Sequence, residues 1–171
     1  MATGEESRIL LLGLGVPCYN IYRRLRGVGY ISFAGVDFSG RYLRQANLSS
    51  VDLHSAKFRG TDLRYASLWG ANACGTDFTG ADLRGADLFR ASMSESILWR
   101  ARMQGANLGG ANFEGAQGMT RQDFERWIKA TCAFAGKEQH HNFHMRLLLQ
   151  GRSFEEWVEA MRSSITFDDS A

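Results

Sequence analysis

Residues 76–90 read TDFTG-ADLRG-ADLFR, and this five-residue pattern decides the fold. Each unit begins with a small residue, continues with an acidic residue and a large apolar one, and ends with two more variable positions. The pattern extends in both directions without a slip, so that sixteen consecutive units cover residues 36–115. The third position is apolar in every unit, and the fifth position is often glycine.

This period excludes a helix and favours short strands that are separated by corners. Five residues advance a helix by about 500°, which would scatter the large apolar residues over all of its faces. In a strand, the first and third positions point to one side and the second position points to the other. Glycine at the fifth position permits a sharp corner. We therefore expect a chain that coils on itself, with successive coils about 4.8 Å apart.

The units ADLRG at 81–85 and ANLGG at 106–110 resemble the repeats of the pentapeptide-repeat family. The resemblance implies a right-handed quadrilateral β-helix with four units in each coil and about four coils. Residues twenty apart then lie above one another, which places Phe38, Phe58 and Phe78 in one interior column. The predicted fold is an all-β solenoid core with a short N-terminal cap and a C-terminal segment of two or three α-helices.

Three segments are expected: an N-terminal cap over 1–30, the β-helix over 31–118 and a helical segment over 119–171. A short helix is predicted over residues 19–26. We expect the flanks mainly to cover the ends of the solenoid, although either could also dock a partner. Arg41 occupies a first position, which points inward, and this suits an imperfect end beneath a lid.

The C-terminal segment changes to helical periodicity. Thr120 and Asp123 have the spacing of a capping box, and we expect the helix that they begin to end at Gly136. A second helix is predicted to end near Gly151, and a third to begin after Ser153. The last residues, 164–171, are expected to be frayed.

Composition limits the compartment and the class of partner. The formal net charge is only +2, which is unlike a strongly basic nucleic-acid binder. The three cysteines are far apart and odd in number, which favours free thiols in the cytoplasm or another reducing compartment. The apolar run over residues 9–16 is about half the length of a membrane span. Its acidic flank is also unlike the basic start of a signal peptide.

Outward residues supply the candidate sites. Arg44, Arg64 and Arg84 form one column, which is either an anion-binding stripe or, as we favour, a ladder neutralised by neighbouring aspartates. Two further pairs of outward apolar residues are Trp69 with Phe89 and Ile97 with Trp99. They either pack under the flanking segments or anchor another protein, and the sequence does not separate these alternatives.

No catalytic constellation is recognisable. His140, His141 and His144 are spaced along one helix, but zinc needs further ligands that the nearby sequence does not supply. We interpret them as exposed histidines. The sequence therefore predicts no catalytic residue, no metal site and no cofactor.

Three functions compete. The first is a non-catalytic interaction module or assembly subunit whose partner is another protein, with no direct nucleic-acid binding and no membrane span. A homodimer is compatible with it. The resemblance implies a second, a DNA mimic that inhibits or protects the topoisomerase gyrase. Duplex DNA carries one negative charge per about 1.7 Å, whereas residues 36–115 contain eight acidic and nine basic residues. The third, an enzyme or metal protein built on the histidine-bearing tail, ranks far behind.

Overall fold

The computed structural model describes residues 10–26, 30–137 and 154–169. Repeats occupy the middle of the chain, and helices flank them on both sides. The elements are a π-helical turn (Leu10–Leu14), α1 (Val16–Arg26), β1 (Gln117–Met119), α2 (Arg121–Lys137), α3 (Phe154–Ser164) and β2 (Thr166–Phe167). In the described ranges, none of the helices combines the length and apolar character that crossing a membrane requires.

Parallel bridges between residues twenty apart build the solenoid. Four five-residue units therefore complete one coil, as the resemblance to the family implies. The second positions of the units define four faces. Face A carries Asp37, Lys57, Asp77 and Ile97; face B carries Tyr42, Asp62, Asp82 and Arg102; face C carries Asn47, Ser67, Asp87 and Asn107; and face D carries Ser32, Asp52, Asn72 and Ser92.

The third positions stack to form the core. The rings of Phe38 and Phe58 are parallel with centroids 4.9 Å apart, and Phe58 and Phe78 follow at 5.3 Å. These separations match the spacing of the strands, because each ring lies directly above the ring of the previous coil. In another core column, the small side chain of Ala73 lies one coil below Met93. Both residues are fully buried.

Each corner turns at a fifth position with a positive φ. Gly85 shows why glycine is required at some of these corners. A Cβ at this position would lie 2.6 Å from the ring of Tyr65, which is one coil below it. Gly85 therefore has both a left-handed backbone and an aromatic ring against its α-carbon.

At the N-terminal end, α1 lies against the first coil. Tyr19 is buried against Phe33, with ring centroids 6.0 Å apart. The helix begins at Val16, three residues before the predicted start. Arg41 is exposed, so the expectation that it points inward was wrong. A long side chain at the rim can leave the core and keep its guanidinium in water.

At the C-terminal end, α2 covers the last coil with aromatic residues. Trp127 is fully buried, lies 5.3 Å from Phe113 and donates from its indole nitrogen to the carbonyl of Ala111 (3.0 Å). Thr120 accepts from the N–H of Asp123 (3.1 Å), as the capping box predicts. The helix ends at Lys137, one residue beyond the expected glycine.

The C-terminal tail is ordered into a strand, so the prediction of frayed residues was wrong where the structure describes them. β2 pairs in parallel with β1, at the end of face A. The N–H of Thr166 donates to the carbonyl of Ala116, and the N–H of Asp168 donates to the carbonyl of Met119, both at 3.0 Å. The strand forms because the last coil offers free backbone groups, which a local sequence pattern does not reveal. The second of the predicted C-terminal helices lies mostly outside the described residues.

Candidate interaction surface

The arginine column on face B is largely neutralised. Arg64 donates twice to Asp62, at 2.9 and 2.7 Å, and Arg84 donates twice to Asp82, at 2.8 and 2.6 Å. Arg64 also lies 3.8 Å from Asp82 in the coil above. Hydrogen bonds from the arginines hold the pKa values of both carboxyl groups below their usual range. Each pair joins an aspartate at the second position of a unit to an arginine at the fourth position of the same unit. The two side chains lie close together because both are at the same corner.

Arg44 differs from the two arginines above it. Its guanidinium lies over the ring of Tyr65, 5.2 Å from the centroid, and it has no ion pair among the described residues. Tyr65 itself is 57% exposed and has a left-handed backbone with φ of 58°. A bulky residue in this conformation is uncommon and costs about 1 kcal/mol or more.

Trp69 lies at the next corner, on the other side of face C from Tyr65. Its side chain is 43% exposed. Phe89, one coil above, is half-buried, and the guanidinium of Arg90 lies 5.3 Å from the centroid of its ring. We call Tyr65 and Trp69 the aromatic corners, because they project on both sides of the polar strip of face C.

Trp99 and Ile97 lie against the C-terminal elements. A Cβ on Gly118 of β1 would come within 2.6 Å of both the indole and the backbone nitrogen of Trp99. Ile97 is half-buried and bridges to Gln117. A depression of about 570 Å³ opens beside them, lined by Thr79, Trp99, Arg100, Phe167, Asp168 and Asp169. Trp99 thus has neighbours in the flanking strands, whereas Trp69 remains substantially exposed.

Within residues 36–115, two exposed tyrosines were not singled out from the sequence. Tyr42 is 86% exposed on face B, and Tyr65 occupies a corner. A signal was present, because the second and fifth positions of the repeat point outward and tyrosine is unusual at both.

The described residues contain no group of three or more histidine, cysteine or carboxylate side chains placed to hold a metal ion. Cys18 is exposed and Cys74 is half-buried, both as free thiols. The histidine motif at 140–144 lies outside the described residues.

A family model described as pentapeptide repeats matches the chain in eight copies, over residues 31–64, 56–94 and 86–117. These matches together span half of the chain. A search among curated proteins gives no match.

Several solved structures are similar to the repeat region. The pentapeptide-repeat protein Rfr23 of the cyanobacterium Cyanothece 51142 is 28% identical with a TM-score of 0.51, and the alignment covers 53% of this chain and 61% of that one. A pentapeptide-repeat protein of the Arabidopsis thaliana thylakoid lumen is 29% identical with a TM-score of 0.38, covering 58% and 75%. The plasmid-mediated fluoroquinolone resistance protein QnrB1 is 21% identical with a TM-score of 0.32, covering 53% and 63%. The chain thus spans about three fifths of Rfr23, and this likeness is one of fold.

Proposed function

Because the chain belongs to the pentapeptide-repeat family, we propose that it is a non-catalytic interaction module for another protein. In this proposal, a right-handed β-helix of about four coils presents its faces, and the helical tail adds further surface. The chain carries no recognised catalytic pattern, and the described core columns are filled by packed side chains. A packed solenoid of this kind acts through its outer surface.

The observation that carries the proposal is Tyr65. A glycine would suit its backbone better, and glycine occupies the same corner position one coil above, at Gly85. Tyrosine is retained at an energetic cost while more than half of its side chain faces solvent. Within the described residues, six other corners also hold a non-glycine residue with a positive φ, but Tyr65 is the aromatic residue among the seven. Exposed tyrosines are common anchors of protein interfaces.

Trp69 supports the same surface. Tyr65 and Trp69 lie on the same coil, with the small side chain of Ser67 on the strand between them. Two aromatic anchors beside a flat polar strip match the composition of a protein interface, in which apolar anchors are surrounded by hydrogen-bonding groups. We therefore place the main contact on face C and its two corners.

The test is affinity capture from the source cells, with quantitative comparison of wild type and a Tyr65→Gly/Trp69→Ser variant. We expect the double variant to lose the main partner. Glycine adopts the left-handed backbone conformation without strain, which offsets the loss of the contact between Arg44 and the tyrosine ring. Tyr65→Gly should therefore change the free energy of unfolding by no more than about 1 kcal/mol. Glu95→Gly is the matched control, because Glu95 is exposed at another corner with φ of 57°. Equal recovery of every partner by the double variant would remove the aromatic corners from the interface.

The alternative of a gyrase-directed DNA mimic has less support. Asp62 and Asp82 on face B are already paired with arginines, and the nine basic residues of 36–115 offset the eight acidic ones. A DNA mimic needs a dense, unpaired negative face. Potent inhibition of gyrase supercoiling by equimolar purified protein would reverse this ranking.

A further inference from the structure

The first coil leaves hydrogen-bonding groups open on faces A and B. In each later coil, the N–H of the second position donates to the preceding coil, as from Lys57 to the carbonyl of Val36 (2.9 Å). The third position donates in the other direction, as from Phe38 to the carbonyl of Lys57 (2.7 Å). Asp37 and Tyr42 have no coil before them. Among the described residues, their N–H and carbonyl groups have no hydrogen-bond partner.

The chain fills two comparable edges with its own groups. On face C of the first coil, the side chain of Asn20 accepts from the N–H of Asn47 and donates to the carbonyl of Gln45, both at 2.9 Å. On face A at the opposite end, β2 adds a parallel strand to β1. Strand edges that are left open are templates for another strand. The edge of faces A and B, defined by Asp37 and Tyr42, therefore has free backbone donors and acceptors with which an added strand can pair.

The charges around this edge select the kind of strand. Arg41, Arg44 and Lys57 are all exposed, and within the described residues none of them forms an ion pair. Two acidic residues lie beside them: Asp62, which bridges to Tyr42 and is already paired with Arg64, and Asp37. Hydrogen bonds from Ser39 hold the pKa of the Asp37 carboxyl below the usual range, which leaves Asp37 as the one anion without an ion pair among the described residues. Three cations against one anion repel a second copy of the same edge and attract carboxylates.

We propose that the edge of faces A and B binds an acidic segment of a partner protein, which adds in parallel as two short extended stretches, one on each face. The backbone of the segment would supply the missing hydrogen bonds, and its carboxylates would meet the three cations. The edge runs over residues 36–43 and turns a corner at Gly40, so a segment of about eight residues that turns with it would cover it.

The opposite end of the solenoid already holds a strand of this chemistry. β2 is followed directly by two aspartates. Asp168 accepts a hydrogen bond from the N–H of Arg100 (3.1 Å), and Asp169 lies 3.2 Å from Arg121. An added strand that carries carboxylates beyond its apolar residues is therefore an occupant that this fold accommodates. The proposed edge meets the aromatic corners at Arg44, whose guanidinium lies over Tyr65, and it has no such contact with Trp69 among the described residues.

The experiment titrates the full-length, ¹⁵N-labelled protein with a synthetic peptide of the sequence SITFDDSA, which is that of residues 164–171. We expect the amides of Asp37 and Tyr42 to shift and to become protected from hydrogen exchange. The peptide SITFNNSA should bind several-fold more weakly, and the affinity for SITFDDSA should fall as salt is raised.

Two variants of the protein separate backbone pairing from contact with the side chain. Tyr42→Pro removes an N–H that has no partner in the described structure, so the fold should persist while peptide binding weakens about five- to tenfold. Tyr42→Ser retains the N–H and should bind more tightly than the proline variant. If Tyr42→Pro fails to fold, the triple variant Arg41→Gln/Arg44→Gln/Lys57→Gln provides the test and should lose the preference for SITFDDSA over SITFNNSA.

Protection at Asp37 and Tyr42 together with weakening by either variant supports the proposal. Absence of binding, or shifts confined to the C-terminal end where the peptide would compete with β2, overturns it. Self-association of the free protein through this edge, seen by sedimentation, would also overturn it. Trp69→Ser, at the corner on the far side of face C, should leave peptide binding unchanged, so failure here is distinct from failure of the aromatic-corner surface.

Discussion

At the N-terminal end, helix α1 contacts the solenoid through the ring of Tyr19 and through polar side chains, whereas at the C-terminal end aromatic rings of α2 and an added strand cover it. Asn20 and Arg23 of α1 bond to backbone groups on the edge of face C. At the other end, Trp127 packs on Phe113, and β2 extends face A. Both ends present apolar core and free backbone groups, but the chain satisfies them with different chemistry.

The difference shows what a solenoid end needs. Apolar side chains of the outermost coil must be removed from water. The backbone N–H and carbonyl groups of its second positions, which we call open rungs where they have no neighbouring coil, must also find hydrogen-bond partners. The C-terminal end meets both needs in the described structure through α2 and β2. The N-terminal end covers face C and part of the core, while the rungs at Asp37 and Tyr42 remain open among the described residues. The two ends therefore differ in how completely the described residues satisfy the backbone groups of the outermost coil.

The largest expected effect is at Trp127. Trp127→Ala should lower the free energy of unfolding by about 3–5 kcal/mol, because it leaves a cavity over the last coil and removes the bond to Ala111. Urea denaturation measures the change. Trp69→Ala is the control, with an expected loss of about 1 kcal/mol or less, since that side chain is partly exposed. Similar losses for the two variants would mean that α2 does not seal the end.

Gly118→Ala tests the added strand. The new Cβ would meet the backbone nitrogen of Trp99 at 2.6 Å, and φ at this position is 77°. We expect a loss of about 2–3 kcal/mol in unfolding free energy and weaker pairing of β2. Gly40→Ala has a similar φ but open space around it, so it should lose only about 1 kcal/mol. Equal losses would show that the contact with Trp99 is unimportant.

Asn20→Ala tests the polar closure of the N-terminal end. Loss of the two hydrogen bonds should cost about 1–2 kcal/mol, and the amide of Asn47 should exchange faster with deuterium. Arg24→Ala, an exposed change in the same helix, should leave that exchange rate unaltered. An unchanged rate in the Asn20 variant would argue against the pairing of α1 with face C.

The smallest effect at neutral pH is expected at Tyr19. Burial raises the pKa of its hydroxyl to about 12, compared with about 10 in an unfolded chain. The neutral form is favoured in the folded state, so its contribution to stability is present below pH 10 and is lost as the pH rises to 12. Tyr19→Phe should be nearly neutral at pH 7, because the buried hydroxyl has no hydrogen-bond partner among the residues that the structure describes. Its unfolding free energy should then decline less than that of wild type between pH 10 and 12.

The repeat made the solenoid predictable. The start of α2 at its capping box follows from spacing. The register of twenty residues and the stacked column of Phe38, Phe58 and Phe78 follow from the four-unit coil that the resemblance to the family implies. The family match confirms the recognition of the repeat. The strand at 166–167 was not predictable, because it forms on an edge that is distant in sequence and its own two residues carry no periodic signal.

The candidate surface was predictable in part. The repeat positions indicated that Trp69 and Trp99 point outward, but they could not show that Trp99 packs against Gly118 while Trp69 stays exposed. That difference depends on where the flanking elements lie. Likewise, position alone could not show that Arg44 lies over Tyr65 while Arg64 pairs with an aspartate.

The sequence by itself determined the five-residue period and the side of the chain that each residue faces, because these are local consequences of strand and corner geometry. The four-unit coil was implied by the resemblance to the pentapeptide-repeat family. Only the tertiary structure decided how each end is closed and which outward residues remain exposed. Both depend on contacts between segments far apart in the chain. A repeat specifies its own neighbours one coil away, but it contains no information about where the repeat stops and what lies against its last rung.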